Sequence, residues 1–225
     1  DEPVVFMAFG TGVQSLSRFI YQLLPAMTWL QPHVHAVISV NGYSKMTKNS
    51  KRICKELREG MLTASAPEVN ELVTSLHFFD GFLAREGRDE TLKKFWSTRR
   101  GMIDNSRLPQ PGMGTQSTQN LQHAGMGYRG VLEQLRGLLI GPDDPEALAS
   151  FLYTKIPLMV IQCTEDVFVE PQVAAQIFSD KNLAPFGRKV VEDLDSFLTP
   201  GAVYLNWIRG GHEVIQERST FLLAC

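Results

Sequence analysis

Three stretches of this chain hold the residue types of nucleophilic catalysis, in the order turn, acid, histidine. Residues 3–13 (PVVFMAFGTGV) pass from an apolar, β-branched run through small residues into a helical pattern. Asp166 stands just past a second apolar run, within residues 163–171. His212 stands just past a third, behind Gly210 and Gly211. In a working triad the acid orients the imidazole and stabilises its charged form, and the imidazole takes the nucleophile's proton. Strand, sharp turn and helix is the setting of a G-x-S-x-G nucleophile elbow, and nucleophile, acid, histidine is the chain order that goes with it.

The turn has two possible registers. Small residues must flank an elbow nucleophile at minus two and plus two, because strand and helix nearly touch there. With Thr11 in the middle, the flanking residues are Phe9 and Val13, both too bulky. With Gly10 in the middle they are Ala8 and Gly12, which fit. The elbow is therefore read with glycine at the nucleophile position, and glycine has no side chain to attack with. Phe9, Thr11 and Val167 adjoin the turn and the acid and are the expected pocket wall. Each signal is weak by itself. An aspartate after a strand is a turn residue or helix cap in about two cases of three, and a histidine after Gly-Gly is usually a loop residue. The order and spacing of all three together carry the reading.

The elements that must position these residues follow from hydropathy. After the first strand, Leu16, Phe19, Leu23 and Leu24 recur at helical spacing. Residues 34–40 form a second buried strand, closed by Asn41 and Gly42, so the opening is a βαβ unit with parallel strands. Residues 156–162 form another strand, with Pro157 at its start, and 202–208 form the last. Between these two, a helix starts at Pro171 with Val173, Ala174 and Ile177, and a charged helix carries Val190, Val191, Leu194 and Phe197.

From Tyr43 to Lys155 only amphipathic helices are expected. Val69, Leu72, Val73, Leu76 and Leu83 form one face, and Leu92, Phe95 and Trp96 begin another. Tyr128, Val131, Leu132, Leu135, Leu138 and Leu139 form a third, and Asp144-Pro145 opens a fourth with Leu148, Phe151 and Leu152. Residues 104–127 are a long loop rich in Gly, Pro, Gln, Ser and Thr. The expected organisation is a core of residues 1–43 and 156–225 with a helical, lid-like insertion of 44–155. There is no internal repeat.

On these motifs the chain resembles the C-terminal portion of the α/β-hydrolase superfamily. Residues 9–19 (FGTGVQSLSRF), with 37–41 (VISVN) after them, look most like the N-myc downstream-regulated (NDR) proteins. The resemblance implies a mostly parallel sheet with a helical lid, whose N-terminal strands lie upstream or on a separate piece. It implies a remnant triad of Gly10, Asp166 and His212, no hydrolase activity, and a role through protein interactions.

Composition narrows the alternatives. The 225 residues suit one domain, or a large part of one. Lys plus Arg number 22 against 24 Asp plus Glu, so no net field favours nucleic acid or an anionic membrane. Cys54, Cys163 and Cys225 are too scattered for a disulfide framework or zinc site, which points to a reducing, cytoplasmic setting. No apolar run approaches the roughly 20 residues of a membrane span. Both ends read as cuts within a longer protein.

A dinucleotide site is disfavoured, because Ser15 takes the third glycine position and Asn41 the acidic one. His33 and His35 alternate about a strand start and cannot share a metal, so no cofactor or metal is expected. The basic run 45–55 reads as a solvated surface, and Trp96 and Trp207 as packing. The leading reading is a catalytically silent hydrolase-like domain serving as an interaction or structural module of a larger protein. The alternatives are an active esterase, lipase or peptidase relative whose nucleophile is altered or elsewhere, and a small-molecule receptor using the remnant pocket.

Overall fold

A computed structural model describes residues 2–42, 47–63, 66–100, 136 and 150–218, with backbone alone for 66–67 and 96–100. The expected loop 104–127, nearly all of the helix opening at Tyr128 and the start of the one opening at Asp144 lie outside these residues, as does the Trp96 side chain, whereas Phe151 and Leu152 are helical and buried. The chain divides into two compact units, Asp1–Met46 with Asp143–Arg209, and Thr47–Pro142 with Gly210–Cys225.

The first unit is built on a five-stranded sheet of β1 (Val4–Phe9), β2 (Val34–Val40), β3 (Leu158–Cys163), β4 (Lys189–Val191) and β5 (Ala202–Ile208). Their order is β1-β2-β3-β5-β4 and every pairing is parallel. The central strands are apolar without alternation because both faces are covered. Val37, Leu158, Val160 and Val203 pack on one face, and Ala36, Ile38, Met159 and Ile161 are equally buried on the other. On the first face they meet Val13 of α1 (Gly12–Arg18), then Ile20 and Leu24 beyond it. Phe178 and Leu183, from α6 (Pro171–Ile177) and α7 (Asp180–Leu183) and their ends, complete that core. Each such side chain contributes about 1.5–3 kcal/mol when fully buried. The α6 helix is the one expected from Pro171.

β1 differs from its neighbours. It pairs with β2 alone among the described residues, and its burial alternates, leaving Val5 52% and Met7 39% exposed.

A buried cation ties the other end of the sheet. Arg188 Nη1 donates to the carbonyls of Phe151 and Thr154, and Nη2 to those of Ile156 and Ala202. Burial pulls its pKa down to about 10. One guanidinium thus ties the segment before β3 to the start of β5 through four carbonyls.

Several expectations are corrected. Leu24 is buried, in keeping with the helical spacing, but Leu23 is exposed, because a π turn over Phe19–Leu23 adds a residue and rotates the helical face. The charged helix around Val190 is absent. Lys189–Val191 pairs with β5, and Asp193 then accepts the Ser196 N–H at 2.7 Å, closing a turn that competes with helix. Trp207 is 42% exposed rather than packed, since β4 reaches only as far as Tyr204 and β5 beyond it has a neighbour on one side.

In the second unit, α2 (Lys48–Thr63) buries Ser50, Ile53, Cys54, Leu57 and Met61 on one stripe. The basic run therefore contributes the solvated face of an amphipathic helix, where Arg52 pairs with Glu56 at 2.5 Å. Burial pushes the Cys54 thiol up to about 12, which leaves it a packing residue. α3 (Ala66–His77), α4 (Asp80–Glu86) and α5 (Arg88–Arg100) follow. Leu83 does not continue the face of Val69 and Val73, because the chain breaks at Phe78 and Phe79 between α3 and α4. Phe78 stacks on Phe82 at 5.8 Å, and Phe95 meets Phe78 and His77 edge-on. No helix among the described residues is long and apolar enough to cross a membrane.

Candidate functional site

The carboxyl ends of β1, β2 and β3 are laced at one level. Gly10 N–H donates to the Val40 carbonyl, Asn41 N–H to that of Ile161, and Thr164 N–H to that of Ile208, each at 2.9 Å. The sequence-predicted residues of the first unit stand directly on this rim.

Gly10 follows β1 and takes φ of 49°, a left-handed conformation that glycine adopts without strain. Its carbonyl accepts Val13 N–H at 3.2 Å, so the chain turns straight from strand into α1. The flanking residues face each other with room for a further Cβ. A Cβ on Gly12 would lie 3.9 Å from Ala8 Cβ, in ordinary contact. Beneath, a Cβ on Gly42 would fall 2.7 Å from Val13 Cγ1, so β2 also needs glycine as it leaves the sheet. Phe9 and Thr11 are half-buried beside the buried Gly10.

Asp166 is buried in the loop after β3. Its Oδ1 accepts the N–H groups of Phe168 at 2.8 Å and Val169 at 3.0 Å, so the carboxylate holds its own turn together. Val167, inside that turn, is half-buried. Gln162 and Asn41 brace the loop from below. Gln162 Nε2 donates to the Val169 carbonyl at 3.1 Å, and Asn41 Oδ1 accepts Cys163 N–H at 2.9 Å. β1 and β3 are separated by one strand, so Gly10 and the Asp166 loop stand about 10 Å apart along the rim.

His212 belongs to the second unit, and its surroundings there could not be read from its spacing. Its ring lies 6.0 Å from the ring of His77, the last residue of α3. His77 is itself buried, with Nδ1 3.1 Å from the Val73 carbonyl, so Nδ1 carries the donated proton. The residues on either side of His212 are fixed. Gly211 N–H donates to Glu217 Oε2 at 2.6 Å, and Glu213 N–H donates to the His77 carbonyl at 3.0 Å. Glu217, at the end of the short helix α8 (Val214–Glu217), is buried, and its Oε1 accepts Phe79 N–H at 2.9 Å. Burial raises the Glu217 pKa, against the two N–H groups and Arg218, which favour the anion.

Sequence reasoning missed Glu217, His77 and Arg188. Only the paired glycines before His212 signalled tight packing there. The site residues thus comprise a glycine at the tightest point of a strand-to-helix turn, an aspartate that holds its own loop, and a histidine on a clamped backbone. Among the described residues, no cluster of three or more His, Cys, Asp or Glu side chains is placed to hold a metal.

No family model and no curated protein matches the chain. Solved structures do. The chain is similar to the enol-lactonase from Burkholderia xenovorans LB400, at 12% identity and a TM-score of 0.57, over 99% of this chain and 63% of that one. It is similar to the putative non-heme bromoperoxidase BpoC from Mycobacterium tuberculosis H37Rv, at 12% and 0.56, over 99% and 64%. It is also similar to MGS-M2, an alpha/beta hydrolase enzyme from a Medee basin deep-sea metagenome library, at 14% and 0.55, over 99% and 62%. The chain thus spans less than two thirds of the length of the structures it matches. At these identities the likeness is one of architecture, and the architecture is the α/β-hydrolase fold.

Proposed function

We propose that this chain is a catalytically silent α/β-hydrolase-fold domain that works as a protein-interaction or structural module within a larger cytoplasmic protein. The observation that carries the reading is Gly10, at φ of 49° in the tight turn between β1 and α1. In this fold such a turn presents the nucleophile. Glycine there leaves the turn intact and removes the reacting atom. In this reading Asp166 and His212 are remnants of the acid and the base, and Phe9, Thr11 and Val167 line what was the pocket. The elbow residues 9–19 carry the further resemblance to the NDR proteins, which implies the same non-hydrolytic role. The half-open face of β1 supports a module that functions beside another element, such as an upstream portion of the same fold.

Trapping chemistry tests the reading. An organophosphonate ester reacts with an activated serine or threonine and leaves a stable adduct. Intact mass after incubation should be unchanged. An adduct on Thr11 would assign the turn a working nucleophile and overturn the proposal.

A further inference from the structure

His212 stands on a backbone held at both neighbours, and one of the two holds is a side chain that can change charge. Gly211 N–H and Phe79 N–H converge on the two oxygens of Glu217, at 2.6 Å and 2.9 Å. The first comes from the loop before His212 and the second from the break between α3 and α4. Gly211 is confined there. A Cβ on it would lie 2.8 Å from the His77 carbonyl oxygen, 2.9 Å from Glu217 Oε1 and 2.9 Å from Phe79 N. Two of those atoms are backbone and have nowhere to go, so the loop has room only for glycine.

We infer that Glu217 is a positioning residue for His212: its ionised carboxylate clamps the Gly-Gly-His loop to the break after α3, and protonation of that carboxylate releases one side of the clamp. A carboxylate accepts on both oxygens. A carboxylic acid keeps one carbonyl acceptor and turns its other oxygen into a donor, which then faces an N–H. The clamp therefore exists in full only for the anion. The buried site opposes that charge and raises the carboxyl's pKa above its ordinary value.

The groups that act on Glu217 come from each packed element. Arg218, over the Phe79 ring at 5.6 Å, favours the anion, and Glu213 opposes it. His77 from α3 and His212 from the loop are the imidazoles beside the clamp. From α5 the contact is uncharged, the Thr91 carbonyl accepting from Gln216 Nε2 at 3.0 Å. Asp80, which opens α4, is exposed. The inference does not depend on whether the fold turns over a substrate.

The test is NMR on the whole chain, following the Gly211 amide and the His212 ring through an acid titration. In the wild type both should show a step with a midpoint above the ordinary carboxylate range, separate from the two imidazole titrations. In Glu217→Gln that step should vanish at both positions, while the His212 ring still titrates. Gly211 amide exchange should also rise about ten-fold or more, as expected for loss of a charge-assisted hydrogen bond. A role confined to stability would leave the His212 signal uncoupled from the carboxyl step. Persistence of the step in Glu217→Gln overturns the inference. So does a wild-type Gly211 amide that follows the histidines alone, a reading available even where the variant does not fold.

Discussion

Gly10 and Val40 are joined across β1 and β2 by the Gly10 N–H, which reaches the Val40 carbonyl at 2.9 Å in the same residue where φ turns to 49°. The turn is thus pinned by a sheet hydrogen bond at its tightest point. Any side chain at position 10 has to accept the left-handed backbone. Gly10→Ser is expected to fold and to lose about 1–2 kcal/mol of stability from that conformation. Urea unfolding measures this through a lower midpoint at unchanged slope. A stability equal to wild type would mean that the turn relaxes and that its geometry is not imposed by the sheet.

Arg188 should be among the most sensitive positions of the first unit. Arg188→Ala removes a donor group shared by four carbonyls and is expected to cost about 3–5 kcal/mol. Arg188→Lys should recover little, since one ammonium with three donors cannot span the carbonyls of Phe151, Thr154, Ile156 and Ala202. Thermal unfolding of both variants checks this. Recovery by lysine to near wild type would show that charge matters there and the fork geometry does not.

The exposed alternation of β1 makes the chain prone to associate through that edge. Val5→Lys combined with Met7→Lys places charge on the face where both residues are already open to solvent. Monomer content at high concentration should rise, with stability changed by about 0.5 kcal/mol or less. Analytical ultracentrifugation reads the first and urea unfolding the second. Unchanged association would place the sticky surface elsewhere.

Glu217 gives stability a defined pH dependence. Its folded pKa is raised above the ordinary value of 4.5, so its contribution favours the folded chain at low pH. That contribution is lost as pH rises from 4.5 through the folded value, because the ionised form is the one burial penalises. Glu217→Gln should remove this segment of the stability curve. It should also lower stability by about 1–3 kcal/mol where the wild-type carboxyl is ionised, as its amide N–H₂ meets a backbone N–H that loses its acceptor. Denaturant midpoints over mildly acidic to neutral pH test both. A variant with the wild-type slope would exclude Glu217 as the group responsible.

How much of this was legible depended on where the information lay in the chain. Val34–Val40 and Ala202–Ile208 were readable because each is a seven-residue run rich in apolar, β-branched or aromatic residues. The turn at Gly10 was readable because the apolar, β-branched run gives way there to small residues. β4 was not, since Lys189–Val191 becomes a strand only by pairing with β5, and its charged surroundings suggested a helix. The break at Phe79 was hidden for the same reason: its N–H is drawn to Glu217, 138 residues away. Leu23 was read onto the buried face because the π turn that exposes it leaves no mark in hydropathy.

Hydrolysis of short acyl esters by the wild-type chain, beside His212→Ala, tests the silent-domain proposal most directly. Loss of a triad nucleophile removes on the order of 10⁶ in rate in a well-studied protease, so turnover should not exceed buffer and the two proteins should be indistinguishable. Wild-type turnover above buffer that disappears in His212→Ala would contradict the proposal and make this chain a working hydrolase.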